Sequence, residues 1–225
     1  GQTEMPQRGW GAVTVPGAVS AWVALSERYG KLPFATLAGP AIGYARDGYQ
    51  VTPIIAELWR RGSALLKDQP GFAECFLQGG KAPQPGEKVT LKDHATTLEL
   101  IAETKGESFY RGELAQKIIA HANANGSVMS LDDLARHDVD WIDTLSVPYA
   151  GAVVHELPPN GQGIAALQIL NLMEGYDVAS MGFGSAEYMH TFTEAKKLAF
   201  ADRAKFYADP AFAEAPVADL ISKPY

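Results

Sequence analysis

The side chains able to do chemistry are few and widely spaced. The five histidines, His94, His121, His137, His155 and His190, contain no His-x-x-x-His pair, and a single cysteine leaves no Cys-x-x-Cys. A metal centre of familiar ligand spacing has no support, and no metal ligand is assigned. Cys75 stands in Gly71-Phe72-Ala73-Glu74-Cys75-Phe76, where apolar neighbours and the lack of a matched histidine motif favour packing over nucleophilic chemistry. Asp132 and Asp133 could be paired acids, yet after Ser130 they are explained by a short helix whose first turn favours carboxylates. Gly161-Gln162-Gly163 is too short for a dinucleotide fingerprint, and neither a Gly-x-x-x-x-Gly-Lys loop nor a Gly-x-Ser-x-Gly elbow occurs. No cofactor is implied and no catalytic residue is assigned. Asn160 and Gln162 remain, as candidates for pointing into a cleft and binding a substrate.

Those two side chains are presented by a corner. Ala152-Val153-Val154-His155-Glu156-Leu157 reads as a strand, and Ile164, Leu167 and Leu170, with Ala166, Ile169 and Met173, recur at helical spacing. Between them Pro158 and Pro159 forbid a helix and remove two backbone donors. Gly161 and Gly163 permit positive φ and close backbone approach. The simpler reading of such a corner is structural; the functional one is that Asn160 and Gln162 line a site.

The elements that would position the corner follow in order. Gly1 to Gly9 is a polar lead, Ala12 to Val15 a short strand, and Pro16-Gly17 opens a helix with Val19, Trp22, Val23 and Tyr29 apolar and Gly30 at its end. A second helix spans about Ala35 to Asp47, with Pro40 early in it and Gly48 as its stop. Thr52 caps a third, with Pro53 at its first position and Ile54, Leu58 and Leu65 on one face. Pro70 to Gly86 reads as an irregular excursion. Asp93 is placed as a cap for a helix turning Leu98 and Ile101 inward; Glu107 to Gly112 reads as a bend; a further helix carries Leu114, Ile118 and Ile119. Ser130 caps a short helix with Leu131 and Leu134. Thr144 to Pro148 and Ala152 to Leu157 form a hairpin turning at Tyr149-Ala150-Gly151. Ser185 caps a long helix to about Tyr207, with Phe192, Ala195, Ala199 and Phe206 on a stripe and Lys196, Lys197, Arg203 and Lys205 on a basic face. Asp209-Pro210 ends it, and Val217 to Ile221 is a last short helix.

Composition bounds the rest. The chain has 225 residues, 47% hydrophobic and 20% charged, enough for the core of one domain or part of one. A net charge of −7 without a basic stripe argues against nucleic acid as a partner. No apolar run reaches the roughly 18 residues of a membrane span. No signal peptide is visible, but Gly1 does not look like a natural start, and the compartment, cytoplasmic or periplasmic, stays open.

Several segments together resemble one family. The strand ending in Pro158-Pro159, the glycine-rich corner and Leu167-Gln168-Ile169-Leu170-Asn171-Leu172-Met173-Glu174-Gly175-Tyr176-Asp177 are similar to the large subunit of gamma-glutamyltransferases, also called gamma-glutamyltranspeptidases. Val15-Pro16-Gly17-Ala18, Tyr29-Gly30-Lys31-Leu32-Pro33, Ala45-Arg46-Asp47-Gly48 and Phe109-Tyr110-Arg111-Gly112 stand in the family's order. So do Asp132-Asp133-Leu134, the run from Glu194 to Arg203 and Ser222-Lys223-Pro224-Tyr225. Many members carry Pro-Pro-Pro-Ser-Ser-Gly-Gly at the corner. Pro158-Pro159-Asn160-Gly161-Gln162-Gly163 resembles a divergent branch that includes cephalosporin-acylase-like hydrolases.

The resemblance implies an α+β fold, the helix-rich part of an N-terminal-nucleophile hydrolase with two central sheets between helical layers, to which this chain gives a few strands. Residues 1–225 would be one domain of the large subunit, incomplete at both ends. It implies a precursor that cuts itself into a large and a small subunit, the small one beginning with the nucleophilic threonine. That threonine is expected downstream of Tyr225, and the arginine that pairs with the substrate's carboxylate upstream of Gly1; Arg8 does not fit its segment. The implied reaction transfers or hydrolyses γ-glutamyl or related acyl groups, as in glutathione breakdown, and this chain alone would be inactive. The departure at Asn160-Gly161-Gln162 broadens the acyl groups expected, towards a cephalosporin-acylase-like amidase. The contrasting hypothesis is a non-catalytic helical binding module that keeps the family's shell.

Overall fold

The computed structural model describes residues 4–225, so the first three residues of the expected polar lead lie outside it. The chain divides into two compact units, Gly1–Val139 and Asp140–Tyr225.

In the first unit a 3-10 turn at Trp10–Ala12 leads to α1 (Ala18–Tyr29), α2 (Phe34–Asp47) and the two-residue strand β1 (Tyr49–Gln50). Then come α3 (Pro53–Leu66), α4 (Phe72–Phe76), strand β2 (Lys88–Val89), α5 (Lys92–Thr104), α6 (Glu107–Tyr110), α7 (Glu113–Ala124) and α8 (Leu131–Ala135). The punctuation read from the sequence holds at several ends. Gly30 and Gly48 follow α1 and α2. Thr52 Oγ1 accepts from Ile55 N–H, with Pro53 next to it, and Ser130 and Asp133 make a reciprocal capping box. One core joins Val19, Ile101, Tyr110 and Leu114, another Ala115, Ile119, Met129 and Leu134, and a third Val51, Ala56 and Val89.

Five expectations are corrected here. The segment Ala12–Val15 is no strand: no neighbour pairs with it among the described residues, and an unpaired strand leaves its backbone unsatisfied. Asp93 is not a cap, because α5 begins at Lys92 and Asp93 sits inside its first turn. Residues 107–110 form α6 rather than a bend. The stretch from Pro70 to Gly86 is partly ordered: the Phe72 and Phe76 rings pack at a tilt, 5.2 Å between centroids, within α4, and Pro83 is fully buried. Cys75, on that helix, is exposed rather than packed. The apolar face of α3 is the open one: Ile54, Leu58 and Leu65 are 74%, 56% and 60% exposed, and Ala56 and Ser63 are buried. Its small residues let it approach the antiparallel β1–β2 pair, and Trp59 is held on that side by an indole N–H donated to Phe76 O at 3.0 Å. On α1, likewise, Val19 is buried while Trp22 and Tyr29 are exposed.

The second unit begins with a hairpin, β3 (Leu145–Tyr149) and β4 (Ala152–Glu156), paired antiparallel with Val147 opposite Val154. Its turn is Ala150-Gly151, both at positive φ, as a two-residue hairpin loop requires. After the corner come α9 (Gly163–Met173), α10 (Val178–Met181), α11 (Ala186–Phe206) and α12 (Val217–Leu220). α9 packs against both strands and against α11. Its Ile164, Leu167 and Met173 are buried, with Val147, Ala195, Ala199 and Leu220 beside them in the same unit. Ser185 caps α11 by accepting from Tyr188 N–H at 3.1 Å. On the expected stripe Ala195 and Ala199 are buried, while Phe192 and Phe206 are half-buried. The described residues are α+β: mostly helix, with two small two-stranded sheets among them.

Candidate functional site

The second unit gathers Asn160 and Gln162 into one open cleft of about 610 Å³, together with Gly161, Arg203, Ala204 and Tyr207. One wall is the corner between β4 and α9; the other is the last turn of α11. The two candidates are brought together, though both are exposed. The Pro159–Asn160 peptide is cis.

The glycines divide their work differently from the sequence expectation. Gly161 has no positive φ, and a Cβ there would meet nothing within 4 Å. Gly163 is the constrained one: a Cβ would collide with Glu156 Oε2 and stand 3.0 Å from its Cδ. Glu156 thus ends its strand with its carboxylate against the start of α9, the end of the helix that favours negative charge.

Behind the cleft lies a polar relay inside an otherwise apolar contact. Gln168, only 4% exposed, accepts the Tyr207 hydroxyl proton at Oε1 and donates through Nε2 to Asp202 Oδ2 at 2.8 Å. Asp202 Oδ1 accepts from the Tyr225 hydroxyl at 2.9 Å. A buried amide with both ends satisfied rigidifies the contact it sits in. Burial pushes the Tyr207 hydroxyl up to about 12, and the Asp202 charge adds to that while Arg203 opposes it. Tyr207 therefore stays neutral near pH 7. A second set of contacts ties down the end of the chain: Asn171 Nδ2 donates to Ile221 O at 2.8 Å, and Lys223 Nζ reaches Asn171 Oδ1 at 2.9 Å and the Glu174 carboxylate. Asn171 and Lys223 also border a smaller cavity of about 270 Å³ between α9, α11 and residues 220–225.

The sequence reading set Arg203 on a basic face, solvated or intersubunit, and treated Tyr207 only as a helix end. The available signal was Gln168, a lone amide on the buried side of an apolar helix, which needs partners. Elsewhere the candidates stay apart. Asp133 is held below the usual carboxylate range by the Ser130 hydroxyl and backbone N–H, as a cap. No group of three or more His, Cys, Asp or Glu side chains that could hold a metal ion occurs among the described residues. In the first unit Ser20 Oγ lies 2.9 Å from His137 Nε2, but Ser20 also donates to Gly17 O at 2.8 Å and His137 stacks on buried Tyr110. That cluster pins the start of α1. No helix among the described residues is long and apolar enough to cross a membrane.

Comparison with known proteins agrees along the full chain. The family model described as Gamma-glutamyltranspeptidase matches residues 1–225. A glutathione hydrolase-like YwrD proenzyme of Bacillus subtilis is 41% identical over 226 residues, covering 100% of this chain and 43% of its own length. An acylase ACY 1 proenzyme of a Pseudomonas species is 40% identical over 215 residues, covering 95% of this chain and 38% of its own length. The crystal structure of cephalosporin acylase from Bacillus halodurans superposes with a TM-score of 0.89 at 41% identity, covering 99% of this chain and 42% of that one. The chain thus spans about two fifths of the length of these relatives.

Proposed function

The chain belongs to the gamma-glutamyltranspeptidase family, and from that premise we propose that it is part of the large, scaffold and substrate-binding subunit of a self-processing threonine amidohydrolase. Its α+β fold is the helix-rich part of the family's N-terminal-nucleophile hydrolase architecture. The two compact units are taken as pieces of one subunit domain. In this reading the nucleophilic threonine and the carboxylate-binding arginine are supplied by parts of the precursor outside this chain.

In the proposed reaction the threonine hydroxyl attacks the amide carbonyl while the threonine's own α-amine takes the proton. Donors in the site hold the oxyanion of the tetrahedral intermediate. The proton passes to the leaving amine, and the acyl group carried on the threonine is released to water or to a second amine. The substrate is a γ-glutamyl or related acyl amide, of the kind broken down when glutathione is degraded, and the partner is the small subunit. This chain's part is to position elements and line the substrate's surroundings, with Asn160 and Gln162 as its contacts.

The observation that carries the reading is the match along the whole chain to relatives described as proenzymes of glutathione-hydrolase-like and acylase types. An acyl preference wider than γ-glutamyl is favoured by the Asn160-Gly161-Gln162 corner and by the acylase relatives at 40–41% identity. The test is to express residues 1–225 alone and together with the remainder of the precursor, and to follow γ-glutamyl-p-nitroanilide. Activity only with the partner, lost when its first threonine becomes alanine, is the expected result. Amidase activity from the chain alone, abolished by a substitution within it, would overturn the proposal.

A further inference from the structure

Gln168 stands where its helix has least use for it. Among the described residues of the second unit every other buried one is apolar. Burying an amide there costs desolvation that a leucine would not incur. What the amide adds is direction. The Asp202 carboxylate only accepts, so it takes the Nε2–H donor at 2.8 Å and leaves Oε1 for the Tyr207 hydroxyl. Gln168 thus grips the end of α11 at two points, Asp202 and Tyr207. The first point is itself fixed, because the other Asp202 oxygen accepts from the Tyr225 hydroxyl at 2.9 Å. The second needs its grip: the Tyr207 backbone is already extended (φ −82°, ψ 115°), so helical geometry no longer fixes its side chain. The buried residues of α11 are only alanines, Ala195 and Ala199. Apolar packing is non-directional and sets how closely two helices approach rather than how each is rolled about its axis.

The end that is gripped is a wall of the cleft. Arg203, Ala204 and Tyr207 line it opposite Asn160, Gly161 and Gln162, and Gln168 lies on the helix that begins at that corner. We propose that Gln168 is a positioning residue of the cleft, fixing the roll of the last turn of α11 and with it the wall that faces Asn160 and Gln162. This rests on the amidohydrolase reading above, in which that corner contacts the substrate, and deepens it by naming what holds the opposite wall in place. The charged groups around position 168 are Asp202 and Arg203 on α11 and Lys223 on the closing segment, the last engaged by the Glu174 carboxylate. The role needs a side chain that donates one hydrogen bond and accepts another. A protonated carboxyl does both, and an ionised one does not.

The experiment uses the processed protein that carries this chain and follows γ-glutamyl-p-nitroanilide. Gln168→Leu should raise KM about tenfold, the scale of one lost hydrogen bond to a charged group, with kcat changed less than about twofold. Gln168→Glu separates positioning from stability through pH. Burial and the Asp202 charge raise the introduced carboxyl above its ordinary value of about 4.3. While protonated it makes both hydrogen bonds. As pH rises through its raised value it loses the proton, can no longer donate, and stands against Asp202. The ratio of KM in Q168E to KM in the wild type should therefore be near one at about pH 5 and climb about tenfold by about pH 8. A ratio that climbs with pH supports the role, even where Q168L fails to fold. A flat ratio, with only the unfolding midpoint of Q168E falling as pH rises, means that Gln168 stabilises the contact and nothing more, and overturns it. If the wild type turns over neither γ-glutamyl nor pentanoyl p-nitroanilide, the amidohydrolase reading fails and the wall is observed directly. The carbon-13 resonance of the Ala204 methyl, assigned with Ala204→Gly, should then move with pH in Q168E and not in the wild type. That movement supports the positioning role, and identical behaviour of the two proteins overturns it.

Discussion

Two glycines in the corner differ in what they require, and the difference is a matter of one neighbour. Gly161 has room around its Cα and ordinary backbone geometry, whereas Gly163 lies under the Glu156 carboxylate. The sequence marks both glycines equally, because it does not say which one a strand-end side chain will reach. Gly161→Val should leave stability within about 0.5 kcal/mol of the parent, as for a surface position without strain. Gly163→Ala should cost about 1 kcal/mol by displacing Glu156 from the helix terminus. Combining it with Glu156→Ala should remove that penalty; urea melts of the two single variants and the double variant measure the coupling, and strict additivity would contradict the contact. Tyr207 supplies a pH signature from the same wall. Its folded value of about 12 lies above the ordinary 10. Between those values the unfolded chain gives up the proton and the folded one keeps it, so this contribution is intact below about pH 10 and is lost as pH rises towards 12. Tyr207→Phe should flatten the fall in stability over that window and remove the last component of the tyrosinate absorbance titration.

At the scale of elements, legibility followed local chemistry. Thr52 before Pro53, the Ser130 capping box, Ser185 and the Ala150-Gly151 turn each act within four residues of their own position, so spacing alone placed them. The apolar stripes of α1 and α3 left the direction of burial open, because periodicity shows which face is apolar and not whether a neighbour covers it. On α3, Ala56 and Ser63 won the inner face by allowing close approach, and Ile54, Leu58 and Leu65 were left outside. The candidate site was half legible: Asn160 and Gln162 stood out on their corner, but Arg203 joins them only through the packing of α9 on α11. That packing depends on small residues. Ala199 is 1% exposed on α11, among the residues bordering the 270 Å³ cavity. Ala199→Leu adds three carbons where the helices meet and should cost about 1–3 kcal/mol. It should also loosen the Gln168–Asp202 contact, so Tyr207 should titrate closer to its ordinary value. An unchanged unfolding midpoint would show that the cavity absorbs the added carbons.

For the whole chain the instructive feature is where apolar surface is left over. Large apolar side chains stand open in the first unit. Trp22, Leu25, Tyr29 and Leu37 line a groove of about 570 Å³ between α1, α2 and α5, and Ile54, Leu58 and Leu65 line one side of α3. Contiguous apolar surface of this kind promotes association in water. Residues 1–225 expressed alone should therefore bind a hydrophobic dye and aggregate on warming. The side chains concerned contribute little to the fold, because their water-facing area changes little on unfolding. Replacing Ile54, Leu58 and Leu65 together by glutamine should then lower dye binding and slow aggregation of the isolated chain, with the unfolding midpoint shifted by less than about 1 kcal/mol equivalent. Light scattering and urea melts on the same preparation separate the two effects. A large loss of stability would mean that this face of α3 is packed in solution, and an unchanged aggregation rate would place the sticky surface in the groove beside α1.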